Sequence, residues 1–317
     1  MARTTRKPIV VIGSINMDLV CRVAAMPQPG QTILGSDLVT VPGGKGANQA
    51  VAAAKLGAEV HMIGRVGDDD FGQRLLNGLK QHGVRTNRVI VSEGVSSGCA
   101  IILVDAVGEN SIVVAPGANA QVTPADLDAA ERLIARAGCV VLQLEIPLKT
   151  VAHALTICRR HGVFTILDPA PAPPDGLPDR LFKVDVLTPN QSEAEAILGG
   201  SRMGRMKRTR RTDAKTIGGE LVRRGARSAV LKLGAKGSML VAEQIEHVAG
   251  FKVKVVDTTA AGDAFTAALA VAHVEGLRGV EALRFANAAG ALACTTFGAQ
   301  PSLPDRAAVE RLLRRGG

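Results

Sequence analysis

The sequence predicts an α/β fold in which helices cover both faces of a mainly parallel central sheet, with a small additional β-sheet. Three observations indicate this fold. Short β-branched runs alternate with helical patterns along most of the 317 residues, as in chains of βαβ units. Apolar residues make up 46% of the chain, enough for a large core. The 35 glycines follow no fixed period, which indicates many tight turns.

The strands of the predicted central sheet are short apolar runs between turn residues. They lie at Ile9–Ile12, Val60–Arg65, Val140–Leu144, Phe164–Leu167, Val184–Leu187 and Ala229–Leu233, and residues 237–256 add short edge strands. Thr123, before Pro124, and Asp213 are expected to cap two helices. The predicted helices span residues 46–56, 71–82, 124–137, 148–161, 191–198, 213–225, 261–276, 281–296 and 306–314.

Two stretches interrupt this alternation. Residues 16–42 follow the first strand without a helical period and are rich in proline and glycine. Residues 98–115 contain two adjacent strands, Ala100–Val104 and Ile112–Ala115, joined by a turn at 108–110. Together they predict a small antiparallel layer that projects from the main sheet as a lid. An edge hairpin added to the main sheet is the alternative.

Charge and composition exclude several classes of protein. The net charge is +9, but six of the basic residues lie within 201–211, which favours a solvated helix or loop face there. The chain has no Trp or Tyr to stack on bases, so we expect no nucleic-acid partner. Five dispersed cysteines without a CxxC spacing indicate neither a disulfide framework nor a zinc site. No apolar run approaches ~20 residues, so we expect a reduced cytoplasmic protein without a membrane span.

Two common phosphate-binding motifs are absent. The Gly44-Lys45 pair is followed by Gly46 rather than by Ser or Thr, so it is not a Walker-type loop. The first strand leads into Gly13-Ser14 without a GxGxxG fingerprint, which leaves a dinucleotide-dependent dehydrogenase with no support beyond the fold class.

A run of small residues from Asp257 to Asp263 leads into an Ala-rich helix. Backbone N–H groups at a helix start favour anions, so this segment is a candidate anion site. Asp263 falls in the first turn, where the helix dipole favours its ionised form. Such a carboxylate can accept a hydroxyl proton while the amides neutralise a transferring phosphoryl group. Taken alone, however, an Asp in a first turn is usually a residue that only complements the dipole.

A second glycine-rich segment, Gly43 to Gln49, opens another predicted helix. Its glycines allow close backbone approach, and Lys45 and Asn48 offer hydrogen-bond donors. Asp18 and Glu145 each follow a predicted strand, on the side where ligands bind in open α/β sheets. This set of polar groups matches the hydrogen-bonding demand of a sugar.

Together these segments resemble the ribokinase family of carbohydrate kinases. The resemblance covers nearly the whole chain, and Gly43–Asn48 with Asp257–Asp263 is specific as a pair. It implies one α/β domain over 1–317, with a β lid formed by about 16–42 and 98–115. It also implies ATP-dependent phosphorylation of D-ribose at its 5-hydroxyl and a homodimer paired through the lids. Further matching segments are Gly13–Asn16, Gln143–Glu145, Pro169–Ala172, Thr188–Glu193 and Gly298–Ser302.

The resemblance also implies roles for individual residues. Asp263 would be the catalytic base, with an anion hole from Ala260, Ala261 and Gly262. The residues implied to bind the sugar are Asn16, Asp18, Gly44, Lys45, Asn48, Glu145 and Asp263. Those implied to lie along ATP are Asn190, Lys232, Gly234, Gly237, Gly262 and Asn287. Glu193 would help to organise Mg²⁺, and the residues implied to surround an activating K⁺ are Asp257, Thr259, Ala293, Thr296, Gly298 and Ser302.

The chain departs from the family pattern at three places. Asp168 stands where Asn is common, and Thr296 and Phe297 stand where basic residues are frequent. The basic window 201–211 looks like an insertion, and no function follows from it.

Besides a ribose kinase, two alternative functions remain open. A nucleoside kinase or another sugar kinase would use the same chemistry, because nucleosides present the same ribose hydroxyls. A non-catalytic sugar-sensing or nucleic-acid-associated protein would be of a different class. The presence of Asp263 together with Asn190 and Glu193 favours a catalyst.

Overall fold

The computed structural model describes residues 7–199 and 213–315 and contains two β-sheets. The basic window 201–211 lies outside the described residues. The strands are β1 (Ile9–Ile12), β2 (Asn16–Val23), β3 (Gly35–Gly43), β4 (Val60–Gly67), β5 (Arg85–Ser92), β6 (Gly98–Val104), β7 (Asn110–Ala115), β8 (Cys139–Leu142), β9 (Phe164–Leu167), β10 (Val186–Leu187), β11 (Ser228–Lys232), β12 (Ser238–Val241) and β13 (Ile245–Val248).

The larger sheet has nine strands in the order β13-β12-β11-β10-β9-β8-β1-β4-β5. From β5 to β11 every neighbouring pair is parallel, and β12 and β13 complete one edge as antiparallel strands. The carboxyl ends of the parallel strands therefore meet at one edge of the sheet, where ligands bind in folds of this class. This arrangement confirms the predicted fold class.

Helices cover both faces of this sheet. They are α1 (Lys45–Lys55), α2 (Asp70–Gln81), α3 (Pro124–Asp128), α4 (Glu131–Arg136), α5 (Leu148–His161), α6 (Asp179–Phe182), α7 (Gln191–Gly199), α8 (Ala214–Arg223), α9 (Ala261–Val274), α10 (Gly279–Ala293), α11 (Ala299–Ser302) and α12 (Arg306–Arg315). Within the described ranges, none of them combines the length and hydropathy needed to cross a membrane.

Strand β1 shows how the two faces are buried. Its residues Ile9 and Val11 belong to the core cluster beneath α1, α9 and α10, and Val10 and Ile12 belong to the cluster beneath α5. All four are fully buried, because successive side chains of a strand point to opposite faces and both faces are covered.

The smaller sheet has the order β3-β2-β6-β7 and is called the lid below. Its outer pairs, β2–β3 and β6–β7, are antiparallel as expected, whereas the central β2–β6 pair is parallel. The outer bounds of the predicted ranges 16–42 and 98–115 match those of its strands to within one residue, whereas β6 and β7 each begin two residues before the predicted Ala100–Val104 and Ile112–Ala115. The parallel centre arises because β2 and β6 each enter the lid from the large sheet rather than from a hairpin.

Several element boundaries differ from the sequence prediction. Strand β5 is missing from the prediction because its residues are mostly polar and exposed, as on a sheet edge. The predicted helix 124–137 is two short helices, α3 and α4, separated by Ala129 and Ala130. The predicted caps are confirmed: Thr123 forms a capping box with Asp126, and Asp213 accepts a hydrogen bond from the Thr216 N–H.

Candidate active site

The candidate site lies where the N-termini of α1 and α9 meet the carboxyl edge of the large sheet. Helix α1 packs along α9, and this contact places Asn48 and Gln49 against Asp263. Asn48 Nδ2 donates to Asp263 Oδ2 at 2.9 Å, and Gln49 Nε2 donates to Asp263 Oδ1 at 3.0 Å. Two neighbouring residues of α1, far from Asp263 in the sequence, therefore hold both oxygens of its buried carboxylate.

The environment of Asp263 differs from the sequence expectation of a readily ionised carboxylate. Burial raises its pKa, and the nearby Asp168 adds to that rise, whereas Lys45 and the hydrogen bonds from Asn48 and Gln49 oppose it. The net direction is upward, because the side chain is almost completely removed from water. A raised pKa makes the carboxylate a stronger proton acceptor when it is ionised.

The predicted anion hole has an unusual backbone. Ala260, immediately before α9, has φ +59°, and it is the one non-glycine residue with positive φ in ranges 7–199 and 213–315. The left-handed region is costly for alanine, and such strain is typical of functional turns. The turn starts the 14-residue helix α9 at Ala261, and the Ala261 N–H donates to the Thr258 carbonyl at 3.3 Å, so this group of the predicted anion hole is already engaged.

A lysine lies beside this helix start. A Cβ placed on Gly262 would be 3.3 Å from Lys232 Nζ. Lys232 Nζ donates to Asp168 Oδ1 at 2.8 Å and is 4.0 Å from Glu193 Oε2. A positive charge and the start of α9 therefore converge on one point.

Asp168 and Gln49 connect the lysine to the buried Asp263. Gln49 Nε2 donates to Asp168 Oδ2 at 3.0 Å as well as to Asp263. The carbonyl of Gln49 accepts from Gln143 Nε2 at 2.6 Å, which fixes the orientation of the amide. Gln49 is fully buried and Asp168 is 1% exposed, so this hydrogen-bonded chain is closed to bulk water.

Strand β2 of the lid contributes Asn16 and Asp18. Asn16 Oδ1 accepts from Asn119 Nδ2 at 2.7 Å, and Asn119 is in turn bonded to the backbone of Ile15. A Cβ on Gly43 would lie 2.1 Å from Asp18 Oδ2, so a larger residue there would displace that carboxylate. Asn48 Oδ1 is buried without a hydrogen-bond partner, which leaves an acceptor available for a ligand hydroxyl.

Charged groups are concentrated around this part of the site. Burial raises the pKa of Asp18 to about 7, and the charges of Glu145 and Asp263 add to the rise. Glu145 Oε2 accepts from Ser14 Oγ and from the backbone N–H of Lys45 at 3.0 Å, which holds the turn at Gly44 in place. Burial disfavours the charge of Lys45, but the surrounding carboxylates, Asp263 first, raise its pKa overall.

The residues expected along a nucleotide form a second group. Asn190 pairs with Lys232 as an isolated parallel bridge, and Asn190 and Glu193 bond reciprocally: each side chain accepts from the other's backbone N–H at 2.8 Å. The turn 234–237 packs on Val248, because a Cβ on Gly237 would lie 2.0 Å from its carbonyl. Asn287 Nδ2 donates to the Val248 carbonyl at 3.1 Å and so supports that same segment.

The residues expected around a monovalent cation form a third group, next to the start of α9. Asp257 Oδ1 accepts from the Thr259 N–H and hydroxyl, and its Oδ2 accepts from the Gly298 N–H at 2.9 Å. These hydrogen bonds lower the pKa of Asp257, although burial opposes them. They tie the loop before α9 to the segment that contains Ala293, Thr296 and Ser302. Thr296 itself is exposed.

Sequence reasoning missed four residues that hold the site together: Ser14, Gln49, Asn119 and Gln143. Three of them lie inside the recognised segments, yet they touch other side chains of the protein rather than a prospective ligand. Asn119 follows the lid strand β7, and only the tertiary structure brings it to Asn16. The sequence showed Asp168 as a departure from the family pattern, but it did not indicate the hydrogen bonds of Asp168 to Gln49 and Lys232.

Comparison with known proteins identifies the protein family. The family model "pfkB family carbohydrate kinase" matches residues 6–306. The chain is 43% identical over 306 residues to a ribokinase of Bacillus subtilis, covering 96% of this chain and 99% of that protein. It is 36% identical over 297 residues to a deoxyribokinase of Salmonella typhi, covering 93% and 95%. A structure of Arabidopsis thaliana ribokinase complexed with ribose and ATP matches with a TM-score of 0.86 and 34% identity, covering 98% and 99%.

The raised pKa of Asp18 makes a prediction about stability. An acid whose pKa rises from 3.8 to about 7 on folding loses folding free energy as pH increases through that interval. We expect Asp18→Asn to raise the melting temperature of the ligand-free protein by about 2–6 °C at pH 8 and by nothing near pH 4.

Asp69→Asn is the matched control. Burial raises the pKa of Asp69, but hydrogen bonds from Ser97 and Gly72 lower it overall, so its substitution should lower the melting temperature at pH 8. Differential scanning fluorimetry between pH 4 and 8 measures both variants. A gain for Asp18→Asn that is the same at every pH would contradict the assignment.

Proposed function

The chain belongs to the pfkB family of carbohydrate kinases, and we propose on that premise that it transfers the γ-phosphoryl group of ATP to the 5-hydroxyl of D-ribose. The observation that carries the proposal is the buried carboxylate of Asp263. Asn48 and Gln49 hold both of its oxygens, and it lies one residue after Gly262 at the start of α9.

The polar groups around Asp263 suit a small polyhydroxylated molecule. Asn16, Asp18, Lys45, Asn48 and Glu145 supply both donors and acceptors. Asn16 and Asp18 belong to the lid strand β2, so we propose that the lid closes over the sugar and excludes water from the transfer. The backbone of Gly44, at φ +85°, approaches the Asn16 N–H so closely that a side chain there would displace the strand.

In the proposed reaction, Asp263 accepts the proton of the 5-hydroxyl as that oxygen bonds to the γ-phosphorus. The bond between the γ-phosphorus and the β,γ-bridging oxygen breaks, and ADP leaves with the electron pair. Backbone N–H groups from Ala260 to Gly262 would stabilise the charge on the phosphoryl oxygens, and the Ala261 N–H would exchange the Thr258 carbonyl for one of them. Positioning and charge stabilisation, rather than covalent catalysis, account for such a reaction.

The second group of residues suits the nucleotide. Asn190, Lys232, Gly234, Gly237 and Asn287 line the proposed path of ATP. In the described part of the chain no three His, Cys, Asp or Glu side chains converge on one point, which fits a Mg²⁺ ion held mainly by phosphate oxygens and water. Glu193 is partly exposed beside Lys232, so its carboxylate would accept hydrogen bonds from the waters of that ion.

The third group suits a monovalent cation. Asp257 supplies a carboxylate, and its hydrogen bonds to Thr259 and Gly298 gather the backbone of two loops around it. We propose that K⁺ binds between these loops among Thr259, Ala293, Thr296, Gly298 and Ser302. The ion would neutralise Asp257 and stabilise the turn that orients the anion hole.

The lid also suits an association between two copies of the chain. Leu38, Ile101, Ile112 and Val113 are each about half exposed or more on its strands, an unusual content of apolar surface. We propose a homodimer in which two lids pair, which sedimentation velocity measures directly.

The five cysteines are free, as suits a reducing, cytoplasmic location.

The closest competing substrates share the same reacting hydroxyl. The similarity to a deoxyribokinase makes 2-deoxyribose the first alternative, and nucleosides and other sugars follow. A coupled assay of ADP release over ribose, deoxyribose, fructose and adenosine separates them. We expect the highest kcat/KM for ribose, and release of ADP with none of the four would contradict the proposal.

Replacing the proposed base tests its role. Asp263→Asn should lower kcat by about 10²–10⁴, because the hydroxyl proton loses its acceptor, while KM for the sugar changes much less. Asp70→Asn is the matched control, since Asp70 also lies in the first turn of a helix, α2, and should leave kcat unchanged. If Asp263→Asn kept more than a third of the wild-type kcat, Asp263 would be only a dipole-complementing residue.

The proposed cation site predicts activation by K⁺. Because the ion would preorganise the anion hole, we expect K⁺ to raise kcat at saturating substrates. The measurement titrates potassium and sodium chloride at constant ionic strength into a buffer with a bulky organic cation. Equal rates in all salts would refute the cation site and leave the role of Asp263 intact.

A further inference from the structure

Among residues 7–199 and 213–315, Asp168 is the one buried carboxylate beside the candidate base that the reaction described above does not use. It is 1% exposed and follows β9, at the carboxyl edge of the large sheet. Its two oxygens have different partners: Oδ1 accepts from Lys232 Nζ at 2.8 Å, and Oδ2 accepts from Gln49 Nε2 at 3.0 Å. Gln49 Nε2 also donates to Asp263 Oδ1 at 3.0 Å.

Three hydrogen bonds therefore join Lys232, which lies beside the start of α9, to the candidate base Asp263. On one side of the transfer, Lys232 Nζ lies beside Gly262, where an incoming phosphoryl group would meet it. On the other side, Asp263 faces the hydroxyl. The distance between these two groups is set by Asp168 and by the amide of Gln49, which Gln143 holds in one orientation.

We infer that Asp168 is a positioning residue: it holds Lys232 Nζ against the γ-phosphoryl group and, through Gln49, aligns that charge with Asp263. The inference rests on the proposed function for its activity readout. Lys232 touches the phosphoryl group, whereas Asp168 acts only through its two partners. This assignment gives the departure at position 168 a function in the transfer.

The alternative position available to Lys232 shows why Asp168 matters. Glu193 Oε2 is 4.0 Å from Lys232 Nζ, which makes Glu193 the second carboxylate within reach of the ammonium. Without the charge on Asp168, the ammonium is drawn toward Glu193 and away from Gly262. An Asn at position 168 still accepts a hydrogen bond from Gln49. The change therefore removes the ion pair with Lys232 and keeps the hydrogen bond to Gln49.

Three variants test the inference: Asp168→Asn, Lys232→Met and the two combined. We expect each single change to lower kcat by about 10- to 100-fold and to change KM for the sugar by less than threefold, because the sugar-facing residues are untouched. The double variant should have a kcat within threefold of Lys232→Met, since Asp168 acts through that lysine. Single effects that multiply in the double variant, or a kcat for Asp168→Asn within threefold of wild type, would overturn the inference.

Nucleotide binding provides a readout that needs no turnover. Isothermal titration with β,γ-imido-ATP and with ADP, both with Mg²⁺ and without sugar, measures contact with the terminal phosphate. Lys232→Met and Asp168→Asn should each weaken the imido analogue about tenfold and ADP by less than threefold. Equal weakening of both nucleotides would mean that the pair stabilises the protein without facing the phosphoryl group, which also overturns the inference.

Asp185→Asn is the matched control. The Asp185 carboxylate accepts from the N–H and hydroxyl of Thr165 at 2.9 and 3.0 Å, near the opposite end of the same strand β9. It should lower the melting temperature without changing kcat or the preference between nucleotides.

The test still decides the inference if Asp168→Asn fails to fold or if the wild-type protein has no sugar kinase activity. If Asp168→Asn does not fold, the comparison of the double variant with Lys232→Met decides, because both lack the unpaired lysine. A tenfold lower kcat for the double variant would then overturn the inference. A wild-type protein that phosphorylates none of the sugars would overturn the proposed function, while the nucleotide titrations would still decide the role of Asp168.

Discussion

A single buried amide, the side chain of Gln49, connects the parts of the candidate site. Its nitrogen donates to Asp168 and to Asp263, and its oxygen accepts from Gln143. Two carboxylates close together in a dry environment repel each other unless donors lie between them. The amide supplies both donors, and it can do so because α1 packs directly along α9. The packing of two small-residue helices thus determines the electrostatics of the site.

The site is stabilised by the rest of the molecule rather than by its own interactions. Burial raises the pKa of both Asp18 and Asp263, which means that their ionised forms oppose folding at neutral pH. Ala260 adds a left-handed backbone conformation. The two apolar clusters on either face of the large sheet supply the compensating stability, and strand β1 contributes to both.

The sequence was most informative where periodicity and turn chemistry decide the structure. Strands β1 and β9 were predicted to the residue, because apolar runs bounded by turn residues are distinctive. Edge strand β5 was not, since its polar and exposed residues show no apolar alternation. In the site, the candidate ligand-binding residues were named from short segments. Asn119 and the partners of Asp168 could not, because those contacts join residues 64 to 119 positions apart, and no local pattern encodes them.

The parallel pairing of β2 with β6 bears on the order in which the chain folds. Asn16 pairs with Gly98, and the chain between them includes α1, β4, α2 and β5. Closing so long a loop is entropically costly until those elements are already packed, and non-local parallel pairs form slowly. We therefore expect β2 and β6 to pair only after β1, β4 and β5 of the large sheet have packed. Because Asn16 and Asp18 belong to β2, we expect these two candidate residues to reach their positions only after Gly98 and its neighbours have been synthesised and folded.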